Sequence, residues 1–364
     1  MNALALTPRS RWVRLREHLA RTGVPDYRFR QVITAWRGST AETFADIRAL
    51  PPGLRTELAE RFGPRLHPLT AVDVQRDEHV EKVLFAAESG ARIETVVSHY
   101  RAGWDSLCVS SQAGCGLGCT FCATGAVGLV RNLTADEITA QVMHPRWTRD
   151  GRPRPASVAF MGMGEALANP HVFDALTLLT DPGYAALAAR RITVSTVGFA
   201  PNLARLVTEH PQVTVTLSVH SPFPDHRAEL IPLERRYPLA DNLAVLDRHA
   251  ATTRRKVYLA YLLIAGVNDG EADLVALADL VRRRSRPELF HVSVIRYNEA
   301  AGADPSYRAP TARQVDSFVH GLRARGVHAT RRRQLGTTID SACGQLHARY
   351  LERTRGGQGT IEST

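Results

Sequence analysis

The chain predicts an α/β protein, an open, partial barrel of (βα)6 type behind an N-terminal helical module and a short β extension. Three observations carry that reading. Helical periodicity punctuated by Gly and Pro runs to about residue 70, and an alternating apolar/polar stretch around the turn signal ESGA follows it. From about Asp105, short β-branched runs alternate with amphipathic segments.

Taken in order, RWVRLREHLARTG, YRFRQVITAWRG and TAETFADIRALPPGLRTELAERFG read as helices, and EKVLFAAESGARIETVVSHY as a hairpin. The strands beyond are SLCVSS (106–111), SVAFMG (157–162), ITVST (192–196), VTVTLSV (213–219), VYLAYLLI (257–264), HVSVIRY (291–297) and VHATRR (327–332). Between them TADEITAQVMH, NPHVFDALTLLT, LADNLAVLDRHAATT, DLVALADLVRRR and TARQVDSFVHGLRARG have helical period. Repeated βα units imply a parallel sheet, and these are too few to close an eight-stranded barrel. Ligands of such sheets sit at the C-terminal strand ends. The expected division is a helical accessory module over 1–75, a β-hairpin and linker over 76–100, the α/β core over 101–348, and a flexible tail over 349–364 that ends in the low-complexity stretch RGGQGTIEST.

With 364 residues, 44% hydrophobic and 23% charged, the chain can bury one large core plus a smaller one. No apolar run approaches the ~18–20 residues that cross a bilayer, so no membrane partner is expected. The opening MNALALTPRSRWVRLREHLA reads as the start of a helix, not a secretion signal, and a cytoplasmic setting follows as an expectation. Five cysteines, an odd number, speak against a disulfide framework. Net charge is +10, and of the 46 basic residues only Lys82 and Lys256 are lysine. Arginine suits bidentate phosphate contact, so RNA or DNA is a candidate partner; GC-rich coding bias accounts for the same excess. The runs Arg331, Arg332, Arg333 and Arg235, Arg236 are candidate RNA contacts or plain solvated surface.

CGLGCTFCATG places Cys115, Cys119 and Cys122 in a C-x3-C-x2-C loop among glycines. Thiolates this close can converge on one metal centre. A structural zinc site closes with four ligands, and no fourth Cys or His follows in the loop. Three thiolates on a four-iron, four-sulfur cube leave one iron open; three buried small side chains and zinc are the other readings. This stretch resembles the signature of the radical S-adenosylmethionine (SAM) superfamily, in which the open iron binds SAM and an electron splits it to a 5′-deoxyadenosyl radical. MGMGE (161–165), after a strand, supplies the glycine-flanked carboxylate that pattern asks for.

With Cys108 in SLCVSSQAGC and Cys343 in IDSACGQL added, the chain resembles the Cfr/RlmN family of ribosomal RNA adenine methyltransferases along nearly its whole length. The matching segments include IETVV, LCVSSQAGCGLGCTFCATG, RNLTADEI, GMGEALANP, STVG, LSVHSP, GVND and ACGQL. The resemblance implies a radical SAM barrel with one [4Fe-4S] cluster on Cys115, Cys119 and Cys122, and two SAM molecules per turnover. Cys343 would take a methyl on sulfur from one SAM. The radical from the second would convert it to a methylene radical that adds to adenine, because C2 and C8 of that base are not nucleophiles. Cys108 would resolve the adduct, ending in a disulfide with Cys343 that reductant reopens. Glu94 resembles the family's proton acceptor, a solvent-facing strand glutamate being the plainer reading. Gly164 and Glu165 would meet the SAM amino group; Ser195, Ser218, Val219 and His220 its ribose and carboxylate side; Asn268 its adenosyl part. The implied partners are 23S rRNA, with transfer RNA a second candidate, and a one-electron donor such as flavodoxin; a monomer is expected.

Within the family one branch methylates C2 and the other C8 of adenine 2503, the latter giving resistance to drugs at the peptidyl-transferase centre. Ala166 in GMGEALANP, HSP (220–222), RKVYLAY (255–261), IRYN (295–298), Gln334 and Gly336 resemble the C8 branch; Thr337 and Thr338 depart from it. C2 methylation is the alternative. Rivals of other kinds are a non-catalytic, metal-containing RNA-binding protein and a radical SAM enzyme acting on a small molecule or peptide.

Overall fold

In a computed structural model of the chain, residues 10–38, 41–100, 103–151, 154–300, 302–333 and 345 are described. Cys343, Gln334, Gly336, Thr337, Thr338 and the tail 349–364 lie outside them.

The chain opens with α1 (Arg11–Arg21) and α2 (Asp26–Gly38). Ser10 caps α1 by accepting from Trp12 N–H, and the i, i+3, i+7 stripe Trp12, Leu15, Leu19 is buried. The third expected helix is broken. Pro51 and Pro52 admit no continuous helix, so a single 3-10 turn at Phe44–Asp46 precedes α3 (Pro52–Phe62), which starts on Pro52.

β1 (Leu69–Arg76) was not legible as a strand, since only Leu69 in it is fully buried; it exists by pairing with β2 (Val80–Ala87). β3 (Arg92–Tyr100) completes the expected hairpin and pairs antiparallel with β4 (Trp104–Val109). The cysteine loop follows, bracketed by a small hairpin of β5 (Gln112–Gly114) and β6 (Leu129–Asn132) around α4 (Ala123–Val127). These two strands are too short for periodicity to reveal.

From there helices and strands alternate: α5 (Ala135–Met143), β7 (Ser157–Phe160), α6 (His171–Thr180), β8 (Ile192–Thr196), α7 (Ala200–Glu209) and β9 (Thr214–Ser218). Then come α8 (Pro224–Leu230), α9 (Leu239–Thr253), β10 (Val257–Leu263), α10 (Glu271–Arg282), β11 (Phe290–Arg296), α11 (Ala312–Ala324) and β12 (Ala329–Arg331). All seven runs read as strands in the core do form, their ends displaced by up to two residues.

One sheet takes the order β1-β2-β3-β4-β7-β8-β9-β10-β11-β12. Its first four strands pair antiparallel, and from β4 onward each of the six neighbouring pairs is parallel. Among the described residues β1 and β12 do not meet, so the barrel is open. Its two faces differ. The outer face (Leu107, Val109, Val158, Phe160, Val194, Val215, Leu217, Leu259, Val292, Val294) is buried as part of the main core. The register runs Cys108, Ala159, Thr193 across β4, β7 and β8 on the other, concave face, where small side chains stay half-exposed. Among the described residues no helix is long and apolar enough to cross a membrane.

Candidate active site

The cysteine loop hangs off the C-terminal end of β4. Gly114, at φ +74, turns it under the Gly128 carbonyl, which accepts from Cys115 N–H at 2.9 Å. Thr120 anchors its far side, its amide donating to Leu230 O at 3.2 Å and its hydroxyl meeting the Tyr307 hydroxyl at 2.8 Å. Cys115 is buried, Cys119 and Cys122 half-buried, and Cys115 and Cys119 both feel the charge of Cys122. Burial pushes Cys115 up to about 11 and Cys119 well above an ordinary thiol. Three thiolates here therefore need a cation among them. Among the described residues no three His, Cys, Asp or Glu side chains converge on a single ion. A four-iron cube asks for something else, one thiolate per iron at separate corners, and this donor set of soft sulfurs fits it.

Beside the loop, MGMGE crosses over the β4–β5 connection. A Cβ on Gly164, at φ +96, would lie 2.5 Å from Gln112 Cβ, and one on Gly162 2.8 Å from the Val109 carbonyl. That crowding is why glycine stands at both positions. It also buries Glu165, whose carboxylate accepts from Leu167 N–H (3.0 Å), Val197 N–H (2.9 Å) and the Thr196 side chain. Burial still raises its pKa. Among the described residues no Arg, Lys or His forms an ion pair with it. A buried carboxylate so placed has the chemistry to take an ammonium group.

One cavity collects Cys122, Gly164, Glu165, Ser195, Ser218 and His220, with Met161 and Arg332 on its wall. His220 holds φ +59, and its Nδ1 accepts from Leu262 N–H at 3.0 Å, which puts the ring proton on Nε2. Burial lowers its pKa to about 3, so the ring is neutral. Two expected members stand behind the cavity. Val219 is wholly buried, its carbonyl accepting from Arg227 Nε at 2.9 Å. Asn268 is wholly buried too; its amide donates to His220 O and Leu262 O, each at 2.7 Å, and accepts from Ile264 N–H at 2.7 Å. It clamps the His220 turn to the end of β10.

Sequence reasoning missed the residues that hold these loops. Arg227 gathers the carbonyls of Val197 (2.6 Å), Ser218 (2.8 Å) and Val219, and is ion-paired with buried Glu234. Gln112 accepts from Glu165 N–H at 2.9 Å. Gln112 lies within LCVSSQAGC but is not marked there by its chemistry, and nothing in the local sequence marks an arginine in PDHRAEL as fully buried. Arg332 reaches Met161 Sδ at 3.1 Å, while Arg331 pairs with Asp316. Gln345 donates to Glu299 O at 2.9 Å, near the C-terminal end of β11.

Cys108 and Glu94 sit on the wall toward β2. Cys108 pairs in register with Val96, two residues from Glu94 on the same face of β3. Glu94 is only 5% exposed, so it is not a solvent-facing strand residue, and its Oε1 lies 3.4 Å from Lys82 Nζ. Lys82, Val96 and Cys108 form one cross-strand row, which leads through Ala159 to Thr193 and, two residues on, cavity-lining Ser195.

The model of the radical SAM superfamily matches residues 109–278. The ribosomal RNA large subunit methyltransferase Cfr of Bacillus velezensis is 42% identical over 343 residues, covering 94% of this chain and 97% of the relative. The Cfr protein of Staphylococcus aureus is 41% identical with the same coverage. A crystal structure of a radical SAM methyltransferase from Sphaerobacter thermophilus superposes with a TM-score of 0.86 at 39% identity, over 96% of this chain and 99% of that one.

Proposed function

The chain belongs to the Cfr/RlmN-type family of radical SAM methyltransferases, and on that premise we propose that it methylates C8 of adenine 2503 in 23S rRNA, conferring resistance to drugs of the peptidyl-transferase centre. The family's cofactors are a [4Fe-4S] cluster and SAM; bound at the cysteine loop, they supply a carbon-centred radical by reductive cleavage of SAM. Cys115, Cys119 and Cys122 would hold the cluster. Glu165 and the Gly164 backbone would take the ammonium, and Ser195, Ser218 and neutral His220 the polar rim of the nucleoside.

The chain's remaining roles fall to three side chains. Cys343 takes a methyl group on sulfur by displacement from a first SAM, and later carries the carbon to the base. Glu94 accepts the proton lost from the alkylated ring carbon, whose odd electron leaves at the same stage to the one-electron couple that starts the reaction. Cys108 then attacks the Cys343 sulfur as a thiolate: a sulfur–sulfur bond forms, the carbon–sulfur bond breaks, and its electron pair stays with the new methyl group, which picks up a proton. An external dithiol reopens the disulfide. The observation that supports this reading best is that cavity-lining Ser195 stands on the same face of the sheet as Cys108 and Glu94.

Mass spectrometry of 23S rRNA treated with anaerobically reconstituted enzyme, SAM and a one-electron reductant is the test. The expected product is 8-methyladenosine. Finding 2-methyladenosine would reassign the protein to the C2 branch, and an unmodified adenine would remove the RNA methyltransferase reading. Regiochemistry here rests on the C8-type segments around Ala166, Ser221 and Tyr258.

A further inference from the structure

Where β3 turns into β4, two large aromatic rings are stacked in the open. Tyr100 and Trp104 pair in register with ring centroids 4.1 Å apart and 11° between planes, and Trp104 is 43% exposed. Exposed aromatics are scattered over any surface. This pair differs in where it stands. Trp104, Ser106 and Cys108 alternate along β4, and Tyr100, Ser98 and Val96 face them across the register. All therefore occupy the concave face that carries Cys108, with the aromatic pair at the N-terminal end of β4 and the cavity beyond the C-terminal ends of the neighbouring strands. At the rise of a strand, Trp104 is about 13 Å from Cys108. On that stretch of β3, β4 and β7 the side chains are small: Ser98, Ser106 and Ser157, half-exposed, with Ser157 Oγ donating to Ser106 Oγ at 3.0 Å.

We propose that the Tyr100–Trp104 pair is a stacking platform for an unpaired nucleobase of the RNA substrate, a near neighbour of the adenine delivered to Cys108. The proposal rests on the reading of the protein as an RNA methyltransferase. An enzyme that works inside a half-barrel must draw its base out of the RNA stack, which leaves flanking bases without a partner. A flat indole on the approach to the reacting sulfur replaces that partner without regard to base identity, because every base has a π-face. A chain of net charge +10 holds the backbone, and the indole holds the base. Tyr100 backs the indole and leaves its other face to the ligand.

The test uses the full-length, cluster-loaded enzyme and a 23S rRNA fragment containing the target adenine. Trp104→Leu should raise KM for RNA between about fivefold and a hundredfold, the span of single base–aromatic stacks, with KM for SAM within twofold of wild type. Trp104→Phe, which keeps an aromatic face and folds if the leucine variant does not, should fall between. Replacing flanking nucleotides one at a time by abasic sites should reveal a position where wild type and Trp104→Leu become equal. An RNA KM that neither variant moves, or the absence of any such position, overturns the platform and leaves the pair as a clasp of the β3–β4 turn. If wild-type enzyme itself leaves the RNA unmethylated, the fault lies in the functional reading, and the platform falls with it.

Discussion

The loop end of this barrel, around Glu165, and the wall of β2, β3 and β4 differ in what places their side chains. At the first, loops beyond β7, β8, β9 and β10 are locked by buried polar groups: Glu165 by three donors, Asn268 by three backbone partners, Arg227 by three carbonyls and Glu234. Irregular backbone there is held by hydrogen bonds that few alternatives would satisfy. On the wall of β2, β3 and β4 the polar contacts tie regular strands to one another: Lys82 pairs with Glu94 at 3.4 Å, and Ser110 Oγ donates to Glu94 O at 2.6 Å. Strand pleat and register bring Lys82, Glu94 and Cys108 onto one face, with Lys82 and Cys108 on either side of Val96 and Glu94 two residues along from it. The first design fixes positions atom by atom; the second fixes a face, and a one-residue slip would remove the whole set.

The largest test of that contrast is Lys82→Met. It removes one partner of an ion pair whose side chains are 8% and 7% exposed, and leaving a buried carboxylate without its lysine costs about 3–5 kcal/mol. Thermal unfolding should fall by several degrees. Changing both, Lys82→Met with Glu94→Leu, should recover most of that stability while RNA methylation stays lost, since no carboxylate remains to accept the proton. Iron content and SAM cleavage without RNA should survive in the double variant. If they vanish too, the two regions are one unit and the contrast is wrong.

Glu165→Gln probes the other side with a smaller effect. The loss of a charge-assisted bond to an ammonium is worth about 1.5–3 kcal/mol, a roughly tenfold to hundredfold rise in KM for SAM. Glutamine offers one acceptor oxygen where the carboxylate offers two, so its NH2 meets the Leu167 or the Val197 N–H and the cofactor-free variant should unfold sooner than wild type. A variant with unchanged KM for SAM would show that the ammonium is held elsewhere.

The same contrast explains what the sequence made legible. The cysteine loop, MGMGE, Ser195, Ser218 and His220 are short, local strings at strand ends, and the structure gathers them on one cavity. Seven core strands announced themselves by β-branched runs. What stayed hidden is non-local. Arg227 and Gln112 act on carbonyls and amides that are distant in sequence, and Asn268 proves to be a clamp whose donors and acceptor are all taken. The closeness of Lys82 to Glu94 follows from the β2–β3 register, Leu84 opposite Glu94 and Lys82 opposite Val96, which no window of residues displays. β1 was missed because its burial comes from its neighbour, not from its own alternation.

The smallest effect tests the wall from behind. On the outer face Phe85 of β2 meets the His144 ring at 4.8 Å, and His67, just ahead of β1, stands 5.8 Å from His144. His67 is 5% exposed, and burial, helped by His144, Arg11 and Arg154, lowers its pKa from 6.5 to about 3. A histidine held neutral in the fold contributes stability that is complete above the unfolded value and drains away as pH falls toward the folded one. Between pH 7 and 6 the loss from this one group is under about 1 kcal/mol, and it grows through pH 5 and 4. His67→Leu should flatten that acid limb in denaturant titrations, with little change at pH 8. It should do so in cluster-free and cluster-loaded protein alike, because His67 supports β1 and β2 and not the loops around Glu165. An acid limb that the substitution leaves as steep as before would place the proton uptake in other groups. It would also mean that the rear of the wall does not set how the sheet answers to pH.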